Sequence, residues 1–389
     1  MFKYVIKIIL AVCIILLPAC QLKNASKSNS ISSKSKPISN TQEQVKIALL
    51  LPLSGKSQKL GRAMSEMAEL SLFHTNNNNI KLLMYDTNDD TLMAQNRIKE
   101  AINNGAKLII GPVFSNTTMA VKDIAINNKI NLISFSNDPN LTNKGIFILG
   151  FSSDAQIKVI TAYTMNQGIN QFYTLLPATS YGRVVAQILR DIVINNGGNI
   201  VKTEFYTHNI AELEIAVESI VTAINNNLNN RQDDSINKQA LFIPEGGNQL
   251  KAILTLLSKY KLDFDQVQLL GTGQWDDYDT FSISELNGAW FAGSYNKERE
   301  LLENMFNREY GYRPPRLSIL AYDAIALAST LADKKNFSKE ALINKNGFIG
   351  VDGTFRFNSN GLTERNLAII KILDQHLEVI EPSSATFID

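Results

Sequence analysis

Four short stretches concentrate hydroxyls, amides and turn-forming residues: Pro52-Leu53-Ser54-Gly55, Gly111-Pro112-Val113-Phe114-Ser115, Ser134-Phe135-Ser136-Asn137 and Pro244-Glu245-Gly246-Gly247. Each follows an apolar run, and most lead into a helical period. Gly and Pro fix the turns. The small polar side chains then stand beside helix N-termini, where backbone N–H groups favour an anionic or polar group. Ser54, Ser115, Asn116, Thr117, Ser136 and Asn137 are donors for such binding, and Ser115, Asn116 and Thr117 suit a carboxylate. The same residue types cap helices and close turns, so each loop keeps both readings. Tyr181, before Gly182, opens a helix and either faces a ligand or serves the core. Trp275 either stacks on a sugar or aromatic ligand or packs internally at a hinge.

Catalytic patterns are missing. There is no His-Glu-x-x-His run and no Gly-x-Ser-x-Gly elbow. Gly55 to Gly61-Arg62-Ala63 departs from a phosphate loop: its glycines stand one residue too far apart, and Arg-Ala replaces Lys-Ser/Thr. His74, His208 and His376 are far apart in sequence, which argues against a histidine-rich metal site. The 38 Lys and Arg nearly balance the 37 Asp and Glu, with no strongly basic block, so nucleic acid finds no electrostatic footprint. The chain is expected to be no enzyme and to carry no cofactor or metal.

The loops need elements to hold them. Apolar runs at Val45–Leu51, Ile80–Tyr85, Leu108–Ile110, Leu132–Phe135, Phe147–Phe151, Phe172–Leu176, Ala240–Ile243 and Val267–Leu270 lack alternation, as strands buried on both faces do. Helical periods lie between them: Ala63, Met67, Leu70 and Phe73 share one face, and Ala94, Ile98, Ala101 and Ile102 another. This alternation predicts an α/β fold with right-handed crossovers. At 389 residues there is room for two domains. The units divide into one lobe of residues 45–150 plus about 275–345, and a second of 151–274 plus about 346–389, with a cleft at the strand ends between them. Trp290 is expected in the core, Asp323 in a structural role beside the hinge, and Glu364 and Arg365 paired across a terminal hairpin. Asn76–Asn79 and Asn225–Asn230 read as solvated loops.

The N-terminus has Lys3 and Lys7, an apolar stretch from Ile8 to Leu17, then Pro18-Ala19-Cys20. This is the pattern of a secretory signal peptide over residues 1–19, too short and wrongly flanked for a membrane span. It resembles a bacterial lipoprotein signal. That resemblance makes Cys20 the lipidated first residue of the mature chain; the alternative is ordinary cleavage near Ala19. With Cys13 removed and Cys20 acylated, no thiol is left for a disulfide. The stretch Gln21–Gln44, rich in Ser, Asn and Lys, reads as a disordered tether spanning roughly 27 Å as a flexible coil. Gln21, rather than aspartate, after Cys20 implies by the same resemblance an outer-membrane address in a two-membrane cell.

From Val45 onward the chain resembles the type I periplasmic binding fold, the leucine/isoleucine/valine-binding class. The matching residues are Pro52-Leu53-Ser54-Gly55, Gly61, Ala68, Tyr85-Asp86-Thr87, Gly105-Ala106, Gly111-Pro112, Ser134 to Ser136, Tyr181-Gly182, Tyr322-Asp323-Ala324, Gly353-Thr354-Phe355-Arg356-Phe357 and Gly361. It is also similar to the penicillin-binding protein activator lipoproteins, through Phe135-Ser136-Asn137, Phe147-Ile148-Leu149-Gly150, Gly271 to Asp276, Gly288-Ala289-Trp290-Phe291-Ala292, Gly347 to Phe357 and Glu364-Arg365-Asn366-Leu367-Ala368. That similarity implies a non-catalytic regulator of peptidoglycan synthesis acting on a bifunctional peptidoglycan synthase, although the helical-repeat domain of the best-studied members is replaced here by a short tether. The wider resemblance implies instead a solute-binding lipoprotein for amino acids or a related small polar ligand of an ABC transporter. A muropeptide is a further ligand to consider. Amino-acid binders of this fold place an acid just after the strand that here ends at Leu270. This chain has Gly271-Thr272-Gly273-Gln274-Trp275 there, with Asp276, Asp277 or an inward-turned Glu245 as the available substitutes.

Overall fold

The computed structural model describes residues 44–229, 238–384 and 387. Cys20, the signal segment and nearly all of the tether lie outside the described residues.

The first half of the chain alternates strand and helix: β1 (Val45–Leu51), α1 (Gln58–Thr75), β2 (Ile80–Asp86), α2 (Thr91–Asn103), β3 (Leu108–Ile110), α3 (Ser115–Asn127), β4 (Leu132–Ser134) and β5 (Ile146–Ile148). Their strands form one sheet in the order β2-β1-β3-β4-β5, every pairing parallel. Residues of β1 alternate between two buried layers: Ile47, Leu49 and Leu51 enter one core, Ala48 and Leu50 another. A strand covered on both faces has no polar side to show, which is why its sequence is a continuous apolar run.

The second set is α4 (Ser153–Asn166), β6 (Gln171–Pro177), α5 (Ser180–Asn195), β7 (Asn199–Tyr206), α6 (Ile210–Asn229), β8 (Gln239–Phe242), α7 (Gly247–Lys259), β9 (Val267–Gly271), α8 (Tyr278–Phe281) and β10 (Trp290–Gly293). The chain then passes through α9 (Lys297–Tyr310), α10 (Ile319–Asp333), α11 (Lys339–Leu342), β11 (Phe348–Gly350), β12 (Gly353–Phe357), β13 (Thr363–Arg365), β14 (Ala368–Leu373) and β15 (His376–Glu381). The second sheet runs β15-β14-β10-β9-β8-β6-β7. It is parallel from β7 to β10 and antiparallel at β14 and β15. The α/β two-domain architecture expected from the sequence is the one observed.

The lobes exchange segments at positions other than those expected. Residues 275–293 were assigned above to the first lobe, yet Trp275, Leu286 and Phe291 are packed in the core of the second, and β10 is inserted between β9 and β14. Phe355 and Phe357, expected in the second lobe, are buried in the first core beside Phe147. The three-stranded sheet β11-β12-β13 docks at β5, where Ile148 N–H donates to Gly361 O at 2.9 Å. The crossings therefore fall at 149–152, 294–296 and 366–367.

Helix α10 is apolar on nearly all sides and fills the first core. It packs along α1, where Ser71 Oγ donates to Tyr322 O at 2.8 Å and Asn77 Nδ2 to Ser329 O at 3.0 Å. Asn76 ends α1 in the left-handed conformation, as a loop residue of its type does. The asparagines from 225 to 229, read above as loop, instead form the last turns of α6. The apolar face Leu213, Val217, Ile220, Ile224 holds that helix to the second sheet and carries the polar turns with it.

Candidate functional site

A cavity of about 320 Å³ opens between the two lobes at the carboxyl ends of β3, β4 and β9. The first lobe supplies Val113, Phe114, Ser115, Phe135, Ser136 and Asn137, together with Arg316 and Leu317 just before α10. Phe151 comes from a crossing, Ser153 and Gln156 from α4, and Thr272, Gly273 and Gln274 follow β9. A larger cavity, about 720 Å³, lies on the other side of Arg316 and Asp276. Its walls come from α8, α9 and the β14–β15 turn. The smaller one occupies the strand-end crevice where open α/β sheets hold ligands.

Hydroxyl groups brace the first-lobe wall. Ser134 Oγ donates to Pro112 O at 3.0 Å and lies 2.7 Å from Thr118 Oγ1, while Ser136 N–H donates back to Ser134 Oγ at 3.1 Å. This ties the β4 loop to the start of α3. Ser115 Oγ and Ser136 Oγ then meet at 2.9 Å on the cavity side. Two hydroxyls and the N-terminal turn of a 13-residue helix thus point one way, an arrangement that suits oxygen atoms or negative charge.

The second-lobe wall is pinned to α4. Gln156, 6 % exposed, accepts from Gly273 N–H at 2.9 Å, and Gln274 Nε2 donates to Pro244 O at 3.3 Å. Trp275 does not reach the cavity. It is fully buried, its indole N–H donates to Glu245 O at 2.8 Å, and its ring lies so close to Gly271 that a Cβ there would be 2.2 Å away. The stacking role is therefore excluded, and the internal-packing reading of this residue is the one observed.

Of the loop residues singled out in the sequence, Ser115, Ser136 and Asn137 line the cavity and the others do not. Ser54 Oγ donates to Asp86 Oδ2 at 2.5 Å, and the Leu53 and Ser54 N–H groups donate to Asp86 Oδ1. Burial alone would raise the Asp86 pKa, but these bonds and one from Asn88 N–H outweigh it and hold the carboxyl below its ordinary value. The loop at Ser54 is thus closed on its own acid. Asn116 is exposed to solvent, and Thr117 is buried with its hydroxyl donating to Phe114 O at 3.0 Å. Tyr181 is partly buried against the second-lobe core, its phenol beside the cavity-lining Ser153 and Gln274; burial raises its pKa, with those two neighbours opposing. The neighbouring glycine has a packing reason: a Cβ on Gly182 would lie 1.9 Å from Pro177 O. Glu245 lies behind Gln274, facing Tyr206 and His208. Desolvation pushes its pKa up, with those neighbours opposing.

Sequence reasoning missed the charged group beside the cavity. Arg316 donates through Nε to Asp276 Oδ2 at 2.8 Å and through Nη2 to Asp352 Oδ1, with its guanidinium 4.5 Å from the Phe151 ring. Arg299 grips the same Asp276 and lies 3.4 Å from Asp352. Burial would raise Asp276, but Arg299 and Arg316 overcome it and keep its pKa below the usual value. Arg365 lies beside them with 6 % of its side chain exposed, its guanidinium flanked by Phe151 and Phe355 and 3.6 Å from Asp352. The expected Glu364–Arg365 pair is not formed. Glu364 instead accepts from Arg356 at 2.8 Å. The only advance signal for this cluster was several arginines and aspartates scattered among apolar segments, and their partners are 13 to 53 residues apart. Among the described residues no group of three or more His, Cys, Asp or Glu side chains is placed to hold a metal, and no helix is long and apolar enough to cross a membrane.

The periplasmic binding protein family model matches residues 44–374. The chain belongs to that family. It is similar, at 25 % identity over 368 residues, to the uncharacterized protein RP748 of Rickettsia prowazekii (strain Madrid E), with 92 % of this chain and 93 % of that protein covered. Among solved structures, an ABC transporter substrate-binding protein from Sphaerobacter thermophilus superposes with a TM-score of 0.72 at 17 % identity, covering 87 % of this chain and 97 % of that one. A Rhodopseudomonas palustris BisB5 solute-binding protein holding 3,4-dihydroxybenzoic acid gives 0.68 at 17 %, covering 88 % and 97 %. The Streptococcus pneumoniae branched-chain amino acid transporter protein LivJ, with isoleucine, gives 0.64 at 18 %, covering 87 % and 100 %. At these identities the likeness is one of fold.

Proposed function

We propose that this periplasmic binding protein is the extracytoplasmic solute receptor of an ABC transporter, a non-catalytic protein held to a membrane through lipidated Cys20. The observation that carries this reading is the cavity between the lobes, walled by strand-end loops of both. Ser115, Ser136 and the start of α3 receive the solute's polar end, while Phe114, Phe135 and Phe151 cover its apolar body. Asn137 stands at the rim. At about 320 Å³ the cavity is at the small end of ligand pockets, which run from about 300 to 1,000 Å³. It suits a compact solute better than a muropeptide. The transporter proteins of the same fold favour the same reading.

The activator reading draws less support. The segments that carried that resemblance have structural work here: Trp275 and Phe291 are core, Trp290 packs on Tyr163, and Phe355 and Phe357 fill the first lobe. They account for a shared fold without a shared partner. Thermal unfolding of the full-length protein against amino acids, small carboxylic acids, sugars and muropeptides tests the receptor reading. A ligand at 100 times its Kd adds about 2.7 kcal/mol, enough to raise Tm by several degrees. A shift with a small solute is expected. No shift across the panel, together with copurification of a peptidoglycan synthase, would replace this reading with the activator one.

A further inference from the structure

The cavity's charge pattern points to the class of solute, an inference that rests on the receptor reading above. An amino acid brings an ammonium as well as a carboxylate. Moving that ammonium out of water costs several kcal/mol unless a carboxylate and acceptors replace its hydration. Among the described residues lining the cavity there is no Asp or Glu, and the one charged side chain is Arg316. The nearby acids are committed elsewhere. Asp276 is 5 % exposed and gripped by Arg299 and Arg316. Glu245 is turned toward Tyr206 and His208, outside the wall.

The one charged group on the cavity lining is positive, the edge of Arg316, and the α3 N-terminus adds backbone donors; the Ser115, Ser136 and Ser153 hydroxyls and the Asn137 and Gln274 amides are neutral. Beneath that wall lie Arg299, Arg316 and Arg365, with Asp276 and Asp352 as partners; Glu303 pairs with Arg299 at 3.4 Å on the side of the larger cavity. Asp323, the next acid, is pushed by burial toward the neutral form, to about 7. At the cavity itself, Arg316 and the α3 N-terminus with no lining acid favour an anion and oppose a cation.

We propose that the cavity takes a small carboxylic acid lacking an α-ammonium group, its carboxylate on the Ser115–Ser136 side and its apolar body against Phe114, Phe135 and Phe151.

Matched pairs isolate the one group in question. Leucine and 4-methylpentanoate, and phenylalanine and 3-phenylpropanoate, share carboxylate and body and differ by the ammonium. In calorimetric titrations of the full-length protein, the deaminated acid of at least one pair should bind at least tenfold tighter. An amino acid binding as tightly as its partner, or binding confined to a neutral sugar, overturns the proposal and leaves the receptor reading standing. No binding by any solute of the wider panel overturns both. Gln274→Glu gives a second arm, since it adds a carboxylate to the lining without added bulk. It should weaken the acid at least tenfold and improve the amino acid. An unchanged preference in a variant that keeps the unliganded Tm contradicts the proposal.

Discussion

Asp276 and Arg299 form a two-pronged ion pair, Nη1 to Oδ2 at 2.5 Å and Nη2 to Oδ1 at 2.9 Å, between a residue that follows β9 and one in the first turn of α9. The acid belongs to the second lobe and the base to the first. Both are almost fully buried, with 4 % and 6 % of their side chains exposed. Arg316 shares the same carboxylate, so one acid neutralises part of two guanidiniums next to the cavity.

Asp276→Ala strands those guanidiniums away from water. Removing one partner of a buried pair costs about 3–5 kcal/mol. Urea unfolding should show the midpoint falling by a corresponding amount, and the loss should persist in molar salt, because screening acts weakly on a buried pair. A loss below 1 kcal/mol would show that the two arginines find other partners.

Asp323 gives stability a pH dependence of a particular sign. Burial raises its carboxyl to about 7, with Arg365 opposing and Asp352 adding, against an ordinary value of 3.8. Between pH 4 and 7 the folded chain holds a proton that the unfolded chain has released, so this group's contribution falls as pH rises through that window. Asp323→Asn removes the titration and can still accept from Val351 N–H. The stability of the variant relative to wild type should therefore climb from pH 4.5 to 7.5. Asp86 and Asp276, both held low, act in the opposite direction below about pH 4, where their stabilisation is lost on protonation. A difference between variant and wild type that stays flat with pH would contradict this assignment.

Gly271→Ala places a methyl group 2.2 Å from the indole of Trp275, which is itself locked by its bond to Glu245 O. Overpacking of this kind costs about 1–3 kcal/mol. A drop in Tm accompanied by a changed tryptophan emission spectrum would report the displaced ring; Trp290, on the opposite face, should be unaffected.

Ser136→Ala removes the partner of Ser115 Oγ and the acceptor for Asp138 N–H. Stability should fall by only about 1 kcal/mol. Affinity for the bound solute should fall roughly tenfold, because the hydroxyl faces the cavity. Equal affinity in titration would remove Ser136 from the binding wall. Thr117→Ala, whose hydroxyl bonds only Phe114 O, should leave affinity unchanged.

Cys20→Ser should abolish acylation, leaving the protein in the soluble fraction or as an uncleaved precursor, with the same Tm and ligand response. Wild-type fractionation of that variant would show that Cys20 carries no anchor.

The fold was legible because strands covered on both faces leave an unambiguous record: Val45–Leu51 and Val267–Leu270 have no polar face, and the helices between them have one. The boundaries between lobes left no such record. Ala289–Ala292 and Phe355–Phe357 are equally apolar, and nothing local says which core each joins. In the site, Ser115 and Ser136 were found because turn chemistry at a strand end is written in consecutive residues. Phe151, Gln156 and Arg316 were not, because they reach the cavity only after three distant segments have come together. Ser54 and Thr117 carried the same local signal as Ser115 and were spent on Asp86 and on a helix turn. Hydroxyl-rich turns mark strand ends, and long-range packing decides which of them faces the cavity.

The late arrival of α10 has a consequence for how the chain comes into being. The helix that fills the first core is separated by more than 240 residues from the α1 it packs against: Ser71 bonds Tyr322, and Asn77 bonds Ser329. A chain emerging N-terminus first has no means of finishing that core until almost all of it is out. Pairings this distant make folding slow. The interleaving of the lobes thus leaves completion of the first core among the last events in the making of the chain.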